Sequence, residues 1–99
     1  MTSFFARCLG LAGDPELPPE AAMLLAERHG RLSRNEAHVI VKDYFGSSRE
    51  ELSEQLEVAT DTIRTYWRRI YHKTGCHSKD EARAWLEKLL KEALGVDEA

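Results

Sequence analysis

Residues 60–77 read TDTIRTYWRRIYHKTGCH, and the rest of the chain is best interpreted from this stretch. In an α-helix, where successive residues are rotated by about 100°, its apolar side chains share one side and its basic side chains share the other. The apolar side comprises Ile63, Tyr66, Trp67 and Ile70, and the polar side comprises Arg64, Thr65, Arg68, Arg69 and His72. Such a helix can pack on a small core and present donors to the phosphates and base edges of a duplex. The pattern is typical of a recognition helix.

The length and composition limit what this helix can belong to. The chain has 99 residues, of which 42% are hydrophobic, and this suits one small helical domain rather than a nucleotide-binding fold with a substrate domain. No apolar run reaches the roughly 18 residues that cross a bilayer, and the N-terminus lacks the features of a secretion signal. We therefore expect a cytoplasmic protein without membrane contact. Cys8 and Cys76 lie far apart, which fits free thiols better than a disulfide framework.

The distribution of charge is more informative than its sum. The formal net charge is -3, whereas many DNA-binding domains are strongly basic. Residues 60–79 nevertheless carry five basic side chains and one acidic side chain. One basic patch on an acidic protein predicts weak, strongly salt-dependent binding of a polyanion by the isolated monomer.

Local signals predict helices along the whole chain. Residues 3–9 are apolar enough for a helical turn or two, and residues 17–30 begin with proline and glutamate and stop at Gly30. Three S-x-x-E capping boxes predict three further helix starts, with Gly46 and Gly95 as stops. The boxes are Ser33 to Glu36, Ser48 to Glu51 and Ser78 to Glu81. A short helix from Ser48, a turn of about four residues and the basic helix together form a helix-turn-helix.

These elements carry a resemblance to a known family. The motifs are Leu32-Ser33-x-x-Glu36, Gly46, Ser48-x-x-Glu51-Leu52-Ser53-x-x-Leu56-x-Val58, Thr62-Ile63-Arg64-Thr65-x-x-Arg68-x-Ile70-x-x-Lys73 and Gly75-x-x-Ser78-x-x-Glu81-Ala82. Over residues 32–86 the chain resembles the LuxR/GerE-type (NarL-like) DNA-binding domain. The resemblance implies an all-α fold, with a four-helix LuxR-type domain over residues 32–95. One or two extra helices would lie in an N-terminal extension, 1–31, and a tail would follow at 96–99.

The resemblance also implies roles for individual residues. In this family the third helix lies in the major groove and the fourth commonly forms the dimer contact. The base-contacting positions are Arg64, Thr65 and Arg68, and the phosphate-contacting positions are Arg49, Thr62, Arg69, His72 and Lys73. Apolar residues recur along the last helix beyond what a small core needs, which favours a dimer interface there. Its candidate residues are Trp85, Leu86, Leu89 and Leu90.

The sequence departs from the family pattern at several positions. Glu57 stands where a turn glycine is usual, which costs up to about 1 kcal/mol if that residue is left-handed. Ala59 replaces the usual serine cap, so we expect Thr60 or Asp61 to cap the recognition helix instead. Asp43 stands at a usually apolar position, and this leaves the register of the first family helix open. Tyr66 and Trp67 replace more polar residues and could pack on the core, on the N-terminal extension or on a partner.

The functional interpretation is a sequence-specific bacterial transcription regulator that binds double-stranded DNA as a homodimer. The alternative is a helix-turn-helix retained as a protein-interaction module or adaptor, with RNA polymerase or another regulator as the partner. Sigma-factor region 4 is a weaker match because of the residues after Gly75. No catalytic motif or cofactor signature is present, so we expect no enzyme. His72, Cys76 and His77 lack the fourth ligand of a tetrahedral zinc site, so we expect no metal.

Overall fold

The computed structural model describes residues 18–94, and within this range the regular structure consists of five α-helices joined by short turns, with no strand. The helices are α1 (Pro19–Gly30), α2 (Arg34–Tyr44), α3 (Arg49–Leu56), α4 (Thr60–Thr74) and α5 (Lys79–Leu94). The all-α fold with an additional N-terminal helix is confirmed. The helical turn expected at residues 3–9, the stop at Gly95 and the tail 96–99 lie outside the described residues.

Two of the three capping boxes form completely. The amide of Glu36 donates to Ser33 Oγ at 3.2 Å, and the Glu36 carboxylate accepts from the Ser33 amide at 3.0 Å. Ser48 and Glu51 repeat this exchange at 3.1 and 3.0 Å. Before α5 one half is present, since the amide of Glu81 donates to Ser78 Oγ at 3.2 Å. These serines determine where α2, α3 and α5 begin, because each satisfies an amide that has no partner inside its helix.

Left-handed residues end the helices. Gly46 has φ 103°, and its amide and that of Ser47 bond back to the carbonyls of Asp43 and Lys42 in a Schellman pattern. Gly75 has φ 77° and closes α4 through a 2.9 Å bond to the Tyr71 carbonyl. The glycine stop predicted after α2 is therefore confirmed.

One continuous hydrophobic core runs through all five helices. The helix α1 packs on α2 and α5 and contributes Ala22 and Ala26, which are completely buried. The largest fully buried apolar side chains are Ile40, Leu52, Ile63, Ile70, Leu86 and Leu90. The N-terminal helix is therefore packed into the same core as the four family helices. No described helix has the length and apolarity of a membrane span.

Gly30 has a different role from the one its position suggested. The sequence predicts that Gly30 terminates α1, but the left-handed residue is Arg31, with φ 55°. Gly30 is the last helical residue and is buried. A Cβ atom there would lie 2.7 Å from Cη2 of Trp85, so glycine is required for the close contact between α1 and α5.

Candidate nucleic-acid interface

The turn before α4 sets the direction of the basic helix. Glu57 adopts φ 56° and ψ 45°, the left-handed conformation that is usual for glycine. The Val58 amide bonds to the Ser53 carbonyl at 3.0 Å and the Glu57 amide to the Glu54 carbonyl at 3.3 Å, so the turn is completed despite the side chain. A non-glycine residue in this conformation costs about 1 kcal/mol.

The helix α4 begins without a side-chain cap. Ala59 is the cap residue in an extended conformation, and its carbonyl accepts from the amides of Thr62 and Ile63. The expectation that Thr60 or Asp61 caps the helix is wrong, because both residues already lie inside its first turn. Thr65 Oγ1 is used within the helix, where it donates to the Asp61 carbonyl at 3.3 Å.

The inward face of α4 packs onto the core. Ile63, Trp67 and Ile70 are buried, and Trp67 contacts the Tyr71 ring with centroids 5.7 Å apart. Tyr66 is half-buried, and its hydroxyl accepts a hydrogen bond from Asn35 Nδ2 at 3.1 Å. Within residues 18–94 the two aromatic residues that depart from the family pattern thus pack on the domain itself.

The outward face of α4 is basic and open. Arg64, Arg68, Arg69 and His72 are exposed, whereas Thr62 and Thr65 are half-buried. Among the described residues, no carboxylate lies within salt-bridge distance of Arg64 or Arg68. Neither Glu57 nor Asp61 therefore masks these two guanidinium groups.

One side of this helix, which we call the open flank, combines cations from three helices. Its cleft is lined by Arg49, Arg64, Trp67, Arg68, Tyr71 and Lys79. Arg49 and Lys79 are the first residues of α3 and α5, so the partial positive charge of two helix N-termini adds to that of the side chains. Lys79 Nζ lies 5.2 Å from the centroid of the Trp67 ring.

Lys79 is a functional candidate that the sequence interpretation missed. In the sequence it lies inside the capping box from Ser78 to Glu81, which indicates only a helix start. Its position directly after the capping Ser78 was the available signal, because the first residue of a helix is close to whatever anion the helix N-terminus faces. Lys79 shares a cleft with Arg64 and Arg68 because α5 crosses α4 at this point, and the sequence does not indicate that crossing.

The other side, which we call the anchored flank, carries Thr65, Arg69, His72 and Lys73, and one of its cations is paired inside the domain. Lys73 Nζ lies 2.6 Å from Glu36 Oε1, and the Glu36 side chain is 2% exposed. Burial by itself raises the pKa of Glu36. The hydrogen bonds from Lys73 and the Ser33 amide, together with the charges of Lys73 and Arg69, outweigh that effect and hold the pKa below its ordinary 4.5. This contact ties the end of α4 to the start of α2.

A second ion pair accounts for Asp43. Its carboxylate accepts from Arg83 Nε at 2.9 Å and from Nη2 at 3.3 Å, which gives a bidentate contact between α2 and α5. The hydrogen bond to Asp43 raises the pKa of the Arg83 guanidinium above its ordinary value. An acid at this usually apolar position is thus compatible with the predicted register of α2.

Two of the four candidate dimer-interface residues have a different structural setting from the one expected. Leu86 and Leu90 are completely buried inside the chain, whereas Trp85 and Leu89 are half-buried. Leu86 and Leu90 therefore offer no surface to a second copy. Cys76 is buried, and residues 18–94 contain no cluster of three or more His, Cys, Asp or Glu side chains suited to a metal ion.

The fold and the basic helix define the class as a helix-turn-helix DNA-binding protein. Residues 31–86 match the sequence model of the GerE family, described as bacterial regulatory proteins of the luxR family. The match covers more than half of the 99 residues, and the chain belongs to this family. It is thus a DNA-binding helix-turn-helix regulator, of a family defined by DNA binding rather than by an enzymatic activity. No solved structure matches the chain.

Proposed function

We propose that the chain is a sequence-specific transcription regulator that inserts α4 into the major groove and acts as a dimer on two half-sites. A major groove about 12 Å wide admits one α-helix, and the outward face of α4 carries donors along its length. We assign base-edge contacts to Arg64, Thr65 and Arg68. The guanidinium groups suit the paired acceptors of guanine.

The observation that carries this proposal is the position of Arg68. It is exposed, and it lines both the cleft of the open flank and the groove that Thr65, Arg69, His72 and Lys73 form on the other side of α4. A side chain shared by both flanks lies at the centre of the outward face, where a groove-bound helix meets the bases.

Phosphate contacts are proposed on either side of this centre. The residues are Arg49, Thr62, Arg69, His72 and Lys73, with Lys79 added from the geometry of the open flank. Lys73 is the weakest of them as a source of free charge, because Glu36 already neutralises it. The others are charged or polar side chains with exposed or half-exposed surface around α4.

The alternative of a protein-interaction adaptor requires that the arginines be masked or dispensable. The open outward face disfavours masking, since no described carboxylate pairs with Arg64 or Arg68. RNA polymerase or another regulator remains compatible as an additional partner of DNA-bound protein. A bacterial cytoplasm is the setting that this function implies.

Selection of bound sequences from random duplex DNA at about 50 mM salt tests the proposal. We expect the wild type to enrich a two-fold symmetric motif and the Arg64→Ala/Arg68→Ala double variant to enrich none. A Lys42→Ala/Lys88→Ala double variant removes the same charge from α2 and α5 and serves as the matched control, with enrichment retained. A folded wild-type protein that enriches no motif, or a motif indifferent to the arginines, would contradict the proposal and favour the adaptor.

A further inference from the structure

The outer face of α1 carries an exposed apolar side chain. Leu24 is 66% exposed, and it is the one large hydrophobic side chain with high exposure among residues 18–94. It borders a groove of about 390 Å³ whose lining comprises Glu20, Met23, Leu24, Glu27 and Arg34. The opposite side of α1 packs on the core through Ala22 and Ala26, and residues 18–94 leave the face around Leu24 uncovered.

Charges are arranged symmetrically about Leu24. Glu20 lies four residues before it and Arg28 four residues after it, so the three side chains share one face and are spaced by about 6 Å along the axis. All three are exposed. Neither Glu20 nor Arg28 has an ion-pair partner among residues 18–94, and a separation of two helical turns keeps them from pairing with each other.

We propose that this face binds a second copy of the chain through an antiparallel pair of α1 helices. A two-fold axis through Leu24 places the leucine against Leu24 of the partner subunit. The same axis brings Glu20 to Arg28 of the partner subunit and Arg28 to Glu20 of the partner subunit. An isologous contact has to be self-complementary in this way, and the sequence of acid, apolar residue and base along α1 meets that requirement.

The packing of α1 on α5 explains why we place the dimer contact on α1 and not on the last helix. The helix α1 lies against α5, with Trp85 held close to Gly30, and Leu86 and Leu90 are completely buried. The apolar stripe that indicated a dimer in the sequence is thus largely used inside the chain. The exposed leucine that remains is on α1.

The interface is small, and this sets the strength of the dimer. One leucine, a bordering groove and two exposed ion pairs bury less than the roughly 1,200 Å² of the smallest standard interfaces, so we expect a dissociation constant on the order of 0.1–1 mM without DNA. Two adjacent half-sites would then raise the effective concentration and complete the dimer. The inference rests on the dimer of the proposed function and names its contact.

Sedimentation equilibrium without DNA tests this contact at protein concentrations up to about 1 mM. We expect Leu24→Glu to raise the dissociation constant at least about tenfold, because the change acts twice across the two-fold axis. Glu20→Arg and Arg28→Glu should each weaken self-association, since each makes both ion pairs repulsive. An equimolar mixture of these two variants should recover it, because opposite charges then face each other at both ends.

A matched variant on the last helix separates the two faces. Lys88→Glu changes an exposed charge on α5 and should leave self-association unchanged. The proposal is overturned by a wild type that stays monomeric at about 1 mM, or by a dimer that Lys88→Glu weakens and Leu24→Glu does not. It is also overturned if mixing the two charge variants recovers nothing, which would point to another occupant of this face.

DNA binding is measured in a separate experiment, on single and on paired half-sites. Leu24→Glu should bind a single half-site as wild type does and lose only cooperative binding to paired half-sites. A wild type that dimerises through α1 but selects no DNA sequence would retain this inference and refute the proposed function. The reverse result, selection of a half-site by a strictly monomeric protein, would refute this inference together with the dimer of the proposed function, and would leave base recognition by α4 intact.

Discussion

The arginines of the open flank of α4 and Lys73 of the anchored flank are cations in opposite electrostatic settings. On the open flank, Arg64 and Arg68 share a cleft with two further cations and two aromatic rings, and no described carboxylate lies within salt-bridge distance of either arginine. On the anchored flank, the buried Glu36 carboxylate neutralises Lys73 at 2.6 Å. A positive charge left without a partner favours a polyanion from outside, whereas a paired one fixes the geometry of the helix that carries it.

The helix α4 therefore has to meet two requirements that one face of a helix cannot meet together. DNA recognition needs accessible charge, and accuracy needs a helix that does not move relative to the domain. Trp67 on the core side and the Glu36 contact at the C-terminal end supply rigidity, while the arginines remain accessible.

The largest effect should come from breaking the anchored flank. Glu36→Ala removes a buried carboxylate, the partner of Lys73 and one half of the α2 capping box, so we expect a loss of about 2–3 kcal/mol in the free energy of unfolding. Urea unfolding measures this loss. Glu51→Ala in the exposed capping box of α3 is the matched control and should cost about 0.5–1 kcal/mol. Equal losses at the two positions would mean that the Lys73 contact contributes nothing.

Next in size is the effect of removing the centre of the outward face. Arg68→Ala should weaken binding to a selected operator by about 10- to 100-fold, the cost of one bidentate base contact, and relax the preference at one base pair. Titration of fluorescent operator and of single-base variants measures both quantities. The unfolding midpoint should stay unchanged because Arg68 is exposed. A uniform loss on every sequence would instead make Arg68 a phosphate contact.

Two lysines, one on each flank, give a smaller and more specific contrast. Lys79→Ala should reduce the slope of log K against log salt concentration by about 0.9, the value for one phosphate contact. Lys73→Ala should change that slope less, because Glu36 already neutralises its charge, and should mainly lower stability. Operator titrations between about 50 and 200 mM salt measure the slopes. A larger slope change for Lys73 than for Lys79 would reverse our assignment of the flanks.

A glycine in the turn that leads into α4 should modestly increase the free energy of unfolding. Glu57→Gly relieves a left-handed glutamate and should stabilise the domain by up to about 0.5 kcal/mol, because the relief of about 1 kcal/mol is partly offset by the entropy cost of glycine in the unfolded chain. Thermal unfolding measures the gain. The corresponding change of Glu54 inside α3 to glycine should destabilise instead, since Glu54 is helical.

The smallest effect concerns pH. The pKa of Glu36 is lowered on folding, so the unfolded chain binds the proton more readily in acid. The stabilisation from ionised Glu36 is therefore complete above the unfolded value near 4.5 and is lost as the pH falls through the lower folded value. We expect the difference in urea midpoint between the wild type and Glu36→Gln to shrink from pH 7 to about pH 3. A difference that is constant with pH would mean that the Glu36 charge does not contribute.

Much of the fold was predictable because its signals are local. A serine that caps an amide three residues later and a glycine that adopts a left-handed turn act within one helical turn, so Ser33, Ser48 and Gly46 located helix ends directly. The start of α4 was not predictable in the same way. With Ala59 as the cap residue, there is no side-chain signal, and packing of Ile63 and Trp67 determines the position of the helix.

The sequence identified most residues of the candidate site, but it did not indicate which of them share a cleft or form an ion pair. Periodicity placed Arg64 and Arg68 on one face of a helix. It could not indicate that Lys79 would join them, since the two segments meet only when α5 crosses α4. It also gave no sign that Lys73 would be neutralised by Glu36, which lies 37 residues away.

By itself, the sequence determined the family, the helical segments and the basic face of α4, because helix periodicity and capping depend on residues a few positions apart. Only the tertiary structure decided which cations stay unpaired, why Gly30 must be glycine, and that Leu86 and Leu90 are core while Leu24 is exposed. Those properties depend on which helices pack together, and contacts between distant segments leave no periodic pattern in the chain.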